Sequence, residues 1–214
     1  MYQRNGKYTS MLIRLYEQNP GARHVKMVAD ILRNDGTAIY PTDSVYGLGC
    51  DLFSSKALDR IAQIKGVKPE KAYFSLIFAD LSHLSDFTLP LNNNVFKLMR
   101  RNLPGPFTFI LPANHNVPKV LKGRKKTIGI RIPGNRIILE IVRELGHPLV
   151  TTSVHDDDAI LEYTTDPELI YEKYGKMVDV VVHGGYGHNV PTTIIDCTDE
   201  EPVIVREGLR MPER

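Results

Sequence analysis

The stretch Tyr40-Pro41-Thr42-Asp43-Ser44 decides how this sequence is interpreted. Residues 38–40 are a short apolar run typical of a strand, and Pro41 then removes a backbone hydrogen-bond donor, so the chain must leave the sheet there. Residues 41–49 are therefore predicted to form a loop at the carboxyl end of a strand, with Gly47 and Gly49 offering exposed backbone amides. Open α/β sheets bind ligands at such ends. A ligand pocket that begins here is one interpretation, and an ordinary polar turn is the other.

Helices and strands alternate on both sides of this stretch. Apolar residues at helical spacing predict helices over 25–32, 58–62, 95–99 and 138–145, and a further helix begins at 166–168. Apolar and β-rich runs predict strands over 75–78, 107–111, 127–131, 149–153, 178–183, 193–196 and 203–206. Several late strands follow one another without room for a helix, which favours a twisted mixed sheet flanked by helices. We predict a single α/β domain over residues 1–214, in which 1–20 form an N-terminal extension.

The composition is that of an ordinary globular protein. Hydrophobic residues make up 42% and charged residues 24%, and no apolar run approaches the ~18 residues of a membrane span. Residues 1–10 are polar and lack the apolar stretch of a secretory signal. Cys50 and Cys197 lie far apart and are expected to be reduced, buried thiols, which favours the cytoplasm. Without an apolar run of spanning length, no membrane partner is expected. The formal net charge of +2 is too small to indicate nucleic-acid binding by bulk electrostatics. Any such binding would have to depend on local clusters of basic residues.

Two sets of basic residues suit an anion. Lys65, Lys68 and Lys71 recur at three-residue spacing around the end of a predicted helix, where ammonium groups can bind phosphate oxygens. The alternative is that these cations only oppose the helix dipole. Residues 124–126 form a second basic run directly before a predicted strand.

Arg131 lies in an otherwise apolar strand and demands a partner. Strand alternation places Thr127, Gly129 and Arg131 on one face. Burying a guanidinium without an anion costs several kcal/mol, so Arg131 either meets an internal carboxylate or points into a cavity that binds an anion. Arg206 also follows an apolar run and needs a partner for its charge, but the neighbouring Glu207 could supply a carboxylate.

The remaining polar clusters give weaker indications. Residues 151–153 offer hydroxyl groups at a strand end, and His155-Asp156-Asp157-Asp158 contains metal-ligand residue types, although a solvated acidic loop is the alternative. We find neither a Ser/His/Asp triad pattern nor a metal-binding histidine spacing. The residues by themselves therefore predict an anion or nucleotide pocket.

Several segments occur in a characteristic order: 40–50 (YPTDSVYGLGC), 103–109 (LPGPFTF), 127–133 (TIGIRIP), 146–153 (GHPLVTTS), 191–196 (PTTIID) and 205–208 (VREG). Together they resemble the YrdC/YciO/YwlC family, and the resemblance runs from about residue 24 to about residue 210. It implies a YrdC/RibB-like α/β fold with a concave basic cavity, which has been interpreted as a double-stranded RNA site. Catalytic members use that cavity to make threonylcarbamoyl-adenylate from ATP, bicarbonate and threonine, with Mg²⁺ accompanying ATP, as the first step of a tRNA modification.

Residue roles follow from the same resemblance. Thr42, Arg131 and Thr192 correspond to threonine-side contacts, and a second group corresponds to nucleotide-side contacts: Lys65, Lys68, Thr127, Ser153 and Arg206. The basic run Arg124-Lys125-Lys126 would form a rim for RNA. These roles agree with elementary chemistry, because a carboxylate suits a guanidinium and a triphosphate suits lysine and arginine.

Two departures from the catalytic pattern place the chain nearer the YciO branch. Catalytic members have Lys-x-Arg-Pro after the second helix, whereas this chain has Lys65-Gly66-Val67-Lys68-Pro69. Their Ser-Ala-Asn signature is replaced by Ser153-Val154-His155, followed by the acidic run. The leading hypothesis is an ATP-binding, threonylcarbamoyl-adenylate synthase-like nucleotidyltransferase. The alternative is a non-catalytic RNA-binding protein or translation factor that acts on tRNA or the ribosome.

Overall fold

The computed structural model describes residues 10–69, 72–122, 126–154 and 164–213. Five α-helices occur in these ranges: α1 Ala22–Arg33, α2 Ser55–Ile64, α3 Asn93–Asn102, α4 Arg136–Leu145 and α5 Pro167–Tyr174. Ten strands accompany them: β1 Met11–Arg14, β2 Thr37–Tyr40, β3 Gly47–Asp51, β4 Ser75–Ile77, β5 Phe107–Pro112, β6 Thr127–Arg131, β7 Leu149–Ser153, β8 Val180–His183, β9 Thr193–Asp196 and β10 Val203–Arg206.

The ten strands form one mixed sheet in the order β1-β8-β2-β3-β7-β4-β6-β5-β9-β10. The pairs β1/β8, β2/β8, β4/β6 and β5/β9 are parallel, and the other neighbours are antiparallel. The predicted mixed sheet flanked by helices is confirmed.

Local sequence signals set most helix ends. Ser54 caps α2 by accepting a hydrogen bond from the backbone of Ala57, and Asn135 caps α4 through Ile138 in the same way. Gly146 ends α4 in the left-handed conformation, with φ of 84°. None of the helices in the described ranges has the length and apolar character that crossing a membrane requires.

One sequence prediction needs correction. Residues 47–49 belong to strand β3 and not to the loop, which ends before Gly47. Close packing requires glycine at both positions. A Cβ atom on Gly47 would lie 2.6 Å from the Tyr40 ring, and one on Gly49 would overlap the carbonyl oxygen of Val150. Residues 11–14, assigned above to an N-terminal extension, form the edge strand β1 and pair with β8.

The helices cover the two faces of the sheet unequally. Helices α2, α3 and α5 pack on one face over apolar side chains from β2 through β9. On the other face, α1 and α4 pack over the part of the sheet that contributes Tyr40, Leu149 and Val180. The rest of that second face, over β7, β4, β6 and β5, carries partly exposed residues, of which three are polar (Ser75, Thr127 and Ser153) and one is apolar (Ile110). This region, called the open face below, is where the candidate site lies.

Candidate functional site

Arg131 is the last residue of β6 and is only 6% exposed. Its Nη2 atom donates to the Ser44 hydroxyl at 3.0 Å and lies 3.5 Å from Asp43 Oδ1. Its Nε atom is buried and has no hydrogen-bond partner among the described residues. The expectation of an internal carboxylate is therefore confirmed by Asp43, whereas anion binding at Arg131 stays a prediction.

Asp43 connects the loop after β2 with the loop after β6. Its Oδ2 atom accepts a hydrogen bond from the backbone N–H of Gly134 at 2.6 Å, and its Oδ1 atom faces Arg131. Burial raises the pKa of Asp43, although the charge of Arg131 opposes this shift. Burial also lowers the pKa of Arg131, and here Asp43 is the main opposing influence. Each charge thus offsets part of the desolvation cost of burying the other.

Thr42 is both part of a turn and part of the site. Its hydroxyl donates to the carbonyl of Val45 at 2.8 Å and accepts from the backbone N–H of Ser44 at 3.1 Å, which is local turn chemistry. The same hydroxyl lies 3.4 Å from Nη2 of Arg131, 89 residues away in sequence. The turn therefore supports the arginine.

Thr192 and Arg206 form a second group. Arg206 donates from Nη2 to the carbonyl of Thr192 at 2.9 Å, and among the described residues it makes no ion pair with Glu207. The Thr192 hydroxyl lies 2.8 Å from that of Thr108 on β5. The charge of Arg206 contributes to the lowered pKa of Arg131, which places the two arginines within electrostatic reach of each other.

Lys65 and Ser153 form a third group, because Lys65 Nζ donates to the Ser153 carbonyl at 3.1 Å. Ser153 ends β7 opposite Gly47 of β3. Thr127 begins β6 on the same face as Arg131, two alternations away. Lys68 is exposed in the turn after α2, and its side chain contacts none of these groups through a hydrogen bond or ion pair with a described residue.

Small side chains form the floor between the groups. Gly129 of β6 lies between Ser75 of β4 and Ile110 of β5. A Cβ atom on Gly129 would overlap the Ser75 hydroxyl and lie 3.1 Å from the Thr108 methyl. Next to Ser75, Thr151 accepts a 2.7 Å hydrogen bond from Tyr40, whose pKa is raised by burial.

Sequence reasoning missed two residues of this surface. Thr108 was detectable, because it is the polar residue between Phe107 and Phe109 in an alternating strand. The sequence did not indicate which face of the sheet Ser75 occupies, since β4 is only three residues long and too short to show alternation. Several predicted positions lie outside the described residues: Arg124, Lys125, His155 and Asp156–Asp158. Lys126, the third member of the predicted RNA rim, is exposed and has a positive φ of 58°.

Comparison with known proteins identifies the family to which the chain belongs. The model of the Sua5/YciO/YrdC family, described as "Telomere recombination", matches residues 30–208. This chain belongs to that family. The Escherichia coli K12 protein YciO, itself described as uncharacterized, is 40% identical over 202 residues, which cover 94% of this chain and 96% of YciO. Its crystal structure superposes with a TM-score of 0.86.

Other members of the family carry a functional name. A threonylcarbamoyl-AMP synthase from Nitrosococcus oceani is 35% identical over 173 residues, covering 80% of this chain and 92% of that protein. Sua5 from Pyrococcus abyssi, solved in complex with L-threonine, is 24% identical with a TM-score of 0.82. The alignment covers 93% of this chain and 58% of that Sua5 chain, and it shows that the two share a fold.

Proposed function

We propose that this protein is a nucleotidyltransferase of the threonylcarbamoyl-AMP synthase type that works on the open face of the sheet. The observation that carries the proposal is Arg131, a buried guanidinium with an unused Nε donor, whose Nη2 atom lies 3.4 Å from the Thr42 hydroxyl. A carboxylate is a ligand that suits such a guanidinium. The family relationship to proteins named threonylcarbamoyl-AMP synthase supplies the reaction.

We assign the residues of the three groups to two binding roles. Arg131, Thr42 and Thr192 bind threonine, with the guanidinium on its carboxylate. Lys65, Arg206, Thr127 and Ser153 bind ATP, with the two cations on the triphosphate. Lys68 is exposed and unpaired among the described residues, so its side chain is available to move onto a phosphate.

The chemistry needs positioning more than a dedicated base. The threonine amine forms a bond to the carbon of bicarbonate with loss of water, and a carbamate oxygen then attacks the α-phosphorus of ATP, which releases pyrophosphate. Holding the reactants together supplies much of the rate enhancement in such reactions, and fixed cations stabilise the developing phosphate charge.

Mg²⁺ is expected to enter with ATP. Among the described residues no group of three His, Cys, Asp or Glu side chains could hold a metal ion. Asp43, the carboxylate beside Arg131, is already engaged by Gly134. This fits Mg²⁺, which commonly keeps several waters and is bound through substrate phosphates with one or two carboxylates. When bound, the ion would supply neutralisation of phosphate charge.

The test uses the purified chain with ATP, Mg²⁺, bicarbonate and L-threonine, and measures pyrophosphate and the adenylate by mass spectrometry. We expect both products from the wild type and neither from Arg131→Ala. Arg143→Ala is the matched control, because Arg143 is an exposed arginine on α4 that pairs with Glu140. Product formation at the same rate in all three proteins, or in none, would refute the proposal.

The RNA-binding hypothesis stays a prediction. Two of its three rim residues, Arg124 and Lys125, lie outside the described part of the chain. It predicts affinity for structured RNA that falls steeply with salt and depends little on base sequence. Binding of this kind without adenylate formation would favour it over the synthase proposal.

A further inference from the structure

The basic and acidic residues of this chain are unevenly distributed. Residues 87–139 make up about a quarter of the sequence, and they contain ten of its 27 lysines and arginines but none of its 25 aspartates and glutamates. The remaining residues therefore carry a net negative charge, although the whole chain has a formal charge of +2. Segregation of this kind indicates a surface that attracts an anionic partner.

Helix α3 presents part of this positive charge on one exposed face. The helix contains no acidic residue, and Lys97, Arg100 and Arg101 are all exposed. The two arginines lie three and four residues after the lysine, so both neighbour it on the helix surface. None of these three side chains, called the α3 basic face below, makes a hydrogen bond or an ion pair with a described residue. Their donors are therefore available to a ligand.

Other helices of this protein pair their surface cations with carboxylates. On α4, Arg136 and Arg143 both pair with Glu140. On α1, Arg33 pairs with Asp30. These helices neutralise their own surface charge, whereas α3 does not.

Two acidic residues lie near the ends of α3, but neither pairs with the α3 basic face. Glu200 lies beside the amino end, where its carbonyl oxygen is 3.5 Å from the Asn92 side chain. Glu213 lies at the carboxyl end, bonded through its backbone to Asn102, and its carboxylate pairs with Arg210. The helix dipole favours cations in the last turn of α3, but it does not require a long stretch without acidic residues.

The chemistry of this face favours the phosphate backbone of a nucleic acid. Arginine and lysine bind phosphate oxygens through charged hydrogen bonds. A duplex presents its phosphates in closely spaced rows, which several neighbouring cations can contact together. Insertion into a membrane needs an exposed apolar helix face, whereas Val95 and Met99 of α3 are buried against the sheet.

We propose that the α3 basic face binds the phosphate backbone of a duplex nucleic acid without reading its base sequence. The face lies on the side of the sheet that α2, α3 and α5 cover, away from the open face and the candidate site. It is also separate from the predicted RNA rim at residues 124–126. The binding does not depend on the proposed reaction, because none of the three cations belongs to the candidate site.

Fluorescence anisotropy of the full chain with labelled RNA and DNA duplexes of equal length tests the proposal. We expect a dissociation constant below about 100 µM at low salt, as is typical of sequence-independent electrostatic binding. The logarithm of the affinity should fall with the logarithm of the salt concentration with a slope of about −3, because three cations contact phosphates. Binding of either duplex in this way supports the proposal, and the comparison identifies which nucleic acid supplies the backbone.

The triple variant Lys97→Ala/Arg100→Ala/Arg101→Ala removes the α3 basic face. It should bind the duplex about 10-fold or more weakly and lose most of the salt dependence, because each lost phosphate contact reduces the slope by about 1. Alanine is a strong helix former, so α3 should keep its structure, and a thermal melt of the variant verifies this. Adenylate formation should match that of the wild type. A wild type without adenylate formation would count against the proposed function alone.

The matched control removes the same charge from exposed positions on other elements: Arg23→Ala/Lys56→Ala/Lys176→Ala. It should change duplex binding less than about 3-fold, because salt screens distant charges. Equal weakening by the control, salt-independent binding, or no binding of either duplex by the wild type would each overturn the proposal. Cosedimentation with vesicles rich in phosphatidylserine tests the other anionic surface, and binding to vesicles without binding to duplexes would also overturn it.

Discussion

The guanidinium of Arg131 lies 3.5 Å from Asp43 Oδ1, yet its buried Nε atom has no hydrogen-bond partner among the described residues. The pair joins residues 88 positions apart in sequence. A buried cation that is only partly satisfied is costly. The unpaired Nε atom is the donor that the proposed function assigns to the carboxylate of threonine.

Replacing Arg131 by lysine should weaken threonine binding while keeping the positive charge. A point-charge ammonium cannot reproduce the two directed donors of a guanidinium. Loss of one charged hydrogen bond of ~1.5 to 3 kcal/mol predicts about 10- to 150-fold weaker binding. Isothermal titration with L-threonine measures this, and Arg143→Lys on α4 is the control. Equal affinity of Arg131→Lys and wild type for threonine would show that the Arg131 guanidinium does not bind threonine.

Neutralising Asp43 should destabilise the free protein and increase its response to threonine. In Asp43→Asn the buried guanidinium loses its counter-charge, which costs about 1 to 3 kcal/mol. The carboxylate of threonine can replace that charge, so the ligand should raise the melting temperature of the variant more than that of the wild type. Thermal melts of both proteins, without threonine and with its concentration raised in 10-fold steps, measure the shift in melting temperature for each. A smaller ligand shift in the variant contradicts this account.

Thr108→Val should impair threonine use without unfolding the protein. The substitution keeps the shape of the side chain but removes the hydroxyl that lies 2.8 Å from the Thr192 hydroxyl. We expect KM for threonine to rise about 5- to 10-fold, as the loss of one neutral hydrogen bond predicts, with kcat little changed. Thr88→Val is the matched control, because Thr88 is also buried but donates to Leu84. Its KM should equal that of the wild type.

Val67→Arg should strengthen ATP binding. Val67 is 41% exposed and stands where the catalytic pattern carries an arginine, so the new side chain has room to reach a phosphate. We expect about 10-fold or greater improvement in the dissociation constant for ATP with Mg²⁺. Met177→Arg, at a surface position that is 37% exposed, controls for added positive charge. If both variants improve binding equally, the effect is general attraction and not a restored contact.

His147 and Asp51 should make stability depend on pH. His147 Nε2 lies 3.2 Å from Asp51 Oδ2. Burial is the largest single influence and disfavours charge on both groups. Their hydrogen bond, their mutual attraction and backbone hydrogen bonds to Pro148 and from Phe53 together outweigh it, so the pKa of His147 is raised above 6.5 and that of Asp51 is lowered below 3.8. The stabilisation is complete between these reference values, is lost as pH rises through the folded-state pKa of His147, and is lost as pH falls through that of Asp51.

Urea unfolding of His147→Ala across the pH range measures this contribution. The variant should lose about 1 kcal/mol relative to wild type near pH 5 to 6, and part of that loss should disappear at alkaline pH. His83→Ala is the control, because the pair of His83 with Asp86 is mostly exposed and should add little at any pH. A pH-independent difference for His147→Ala would show that only its packing against Phe53 matters.

The sequence by itself determined the elements and their chemistry. Apolar periodicity located the helices, and the apolar strand around Arg131 required a partner for its charge. These are local effects of hydrogen bonding and burial, so a one-dimensional pattern contains them. The ordered motifs also identified the family, which the comparison with known proteins confirmed.

Only the tertiary structure decided which groups meet. The pairing of Arg131 with Asp43, of Thr192 with Thr108, and of Lys65 with Ser153 joins distant segments, and no local pattern encodes such neighbours. Gly47 and Gly49 looked like loop residues, yet they pair with β2 and β7 in a strand, where Tyr40 and the β7 backbone leave no room for a side chain. Likewise, β10 has the residues of a buried strand, and only its place at the end of the sheet leaves them exposed, because strand order depends on long-range pairing.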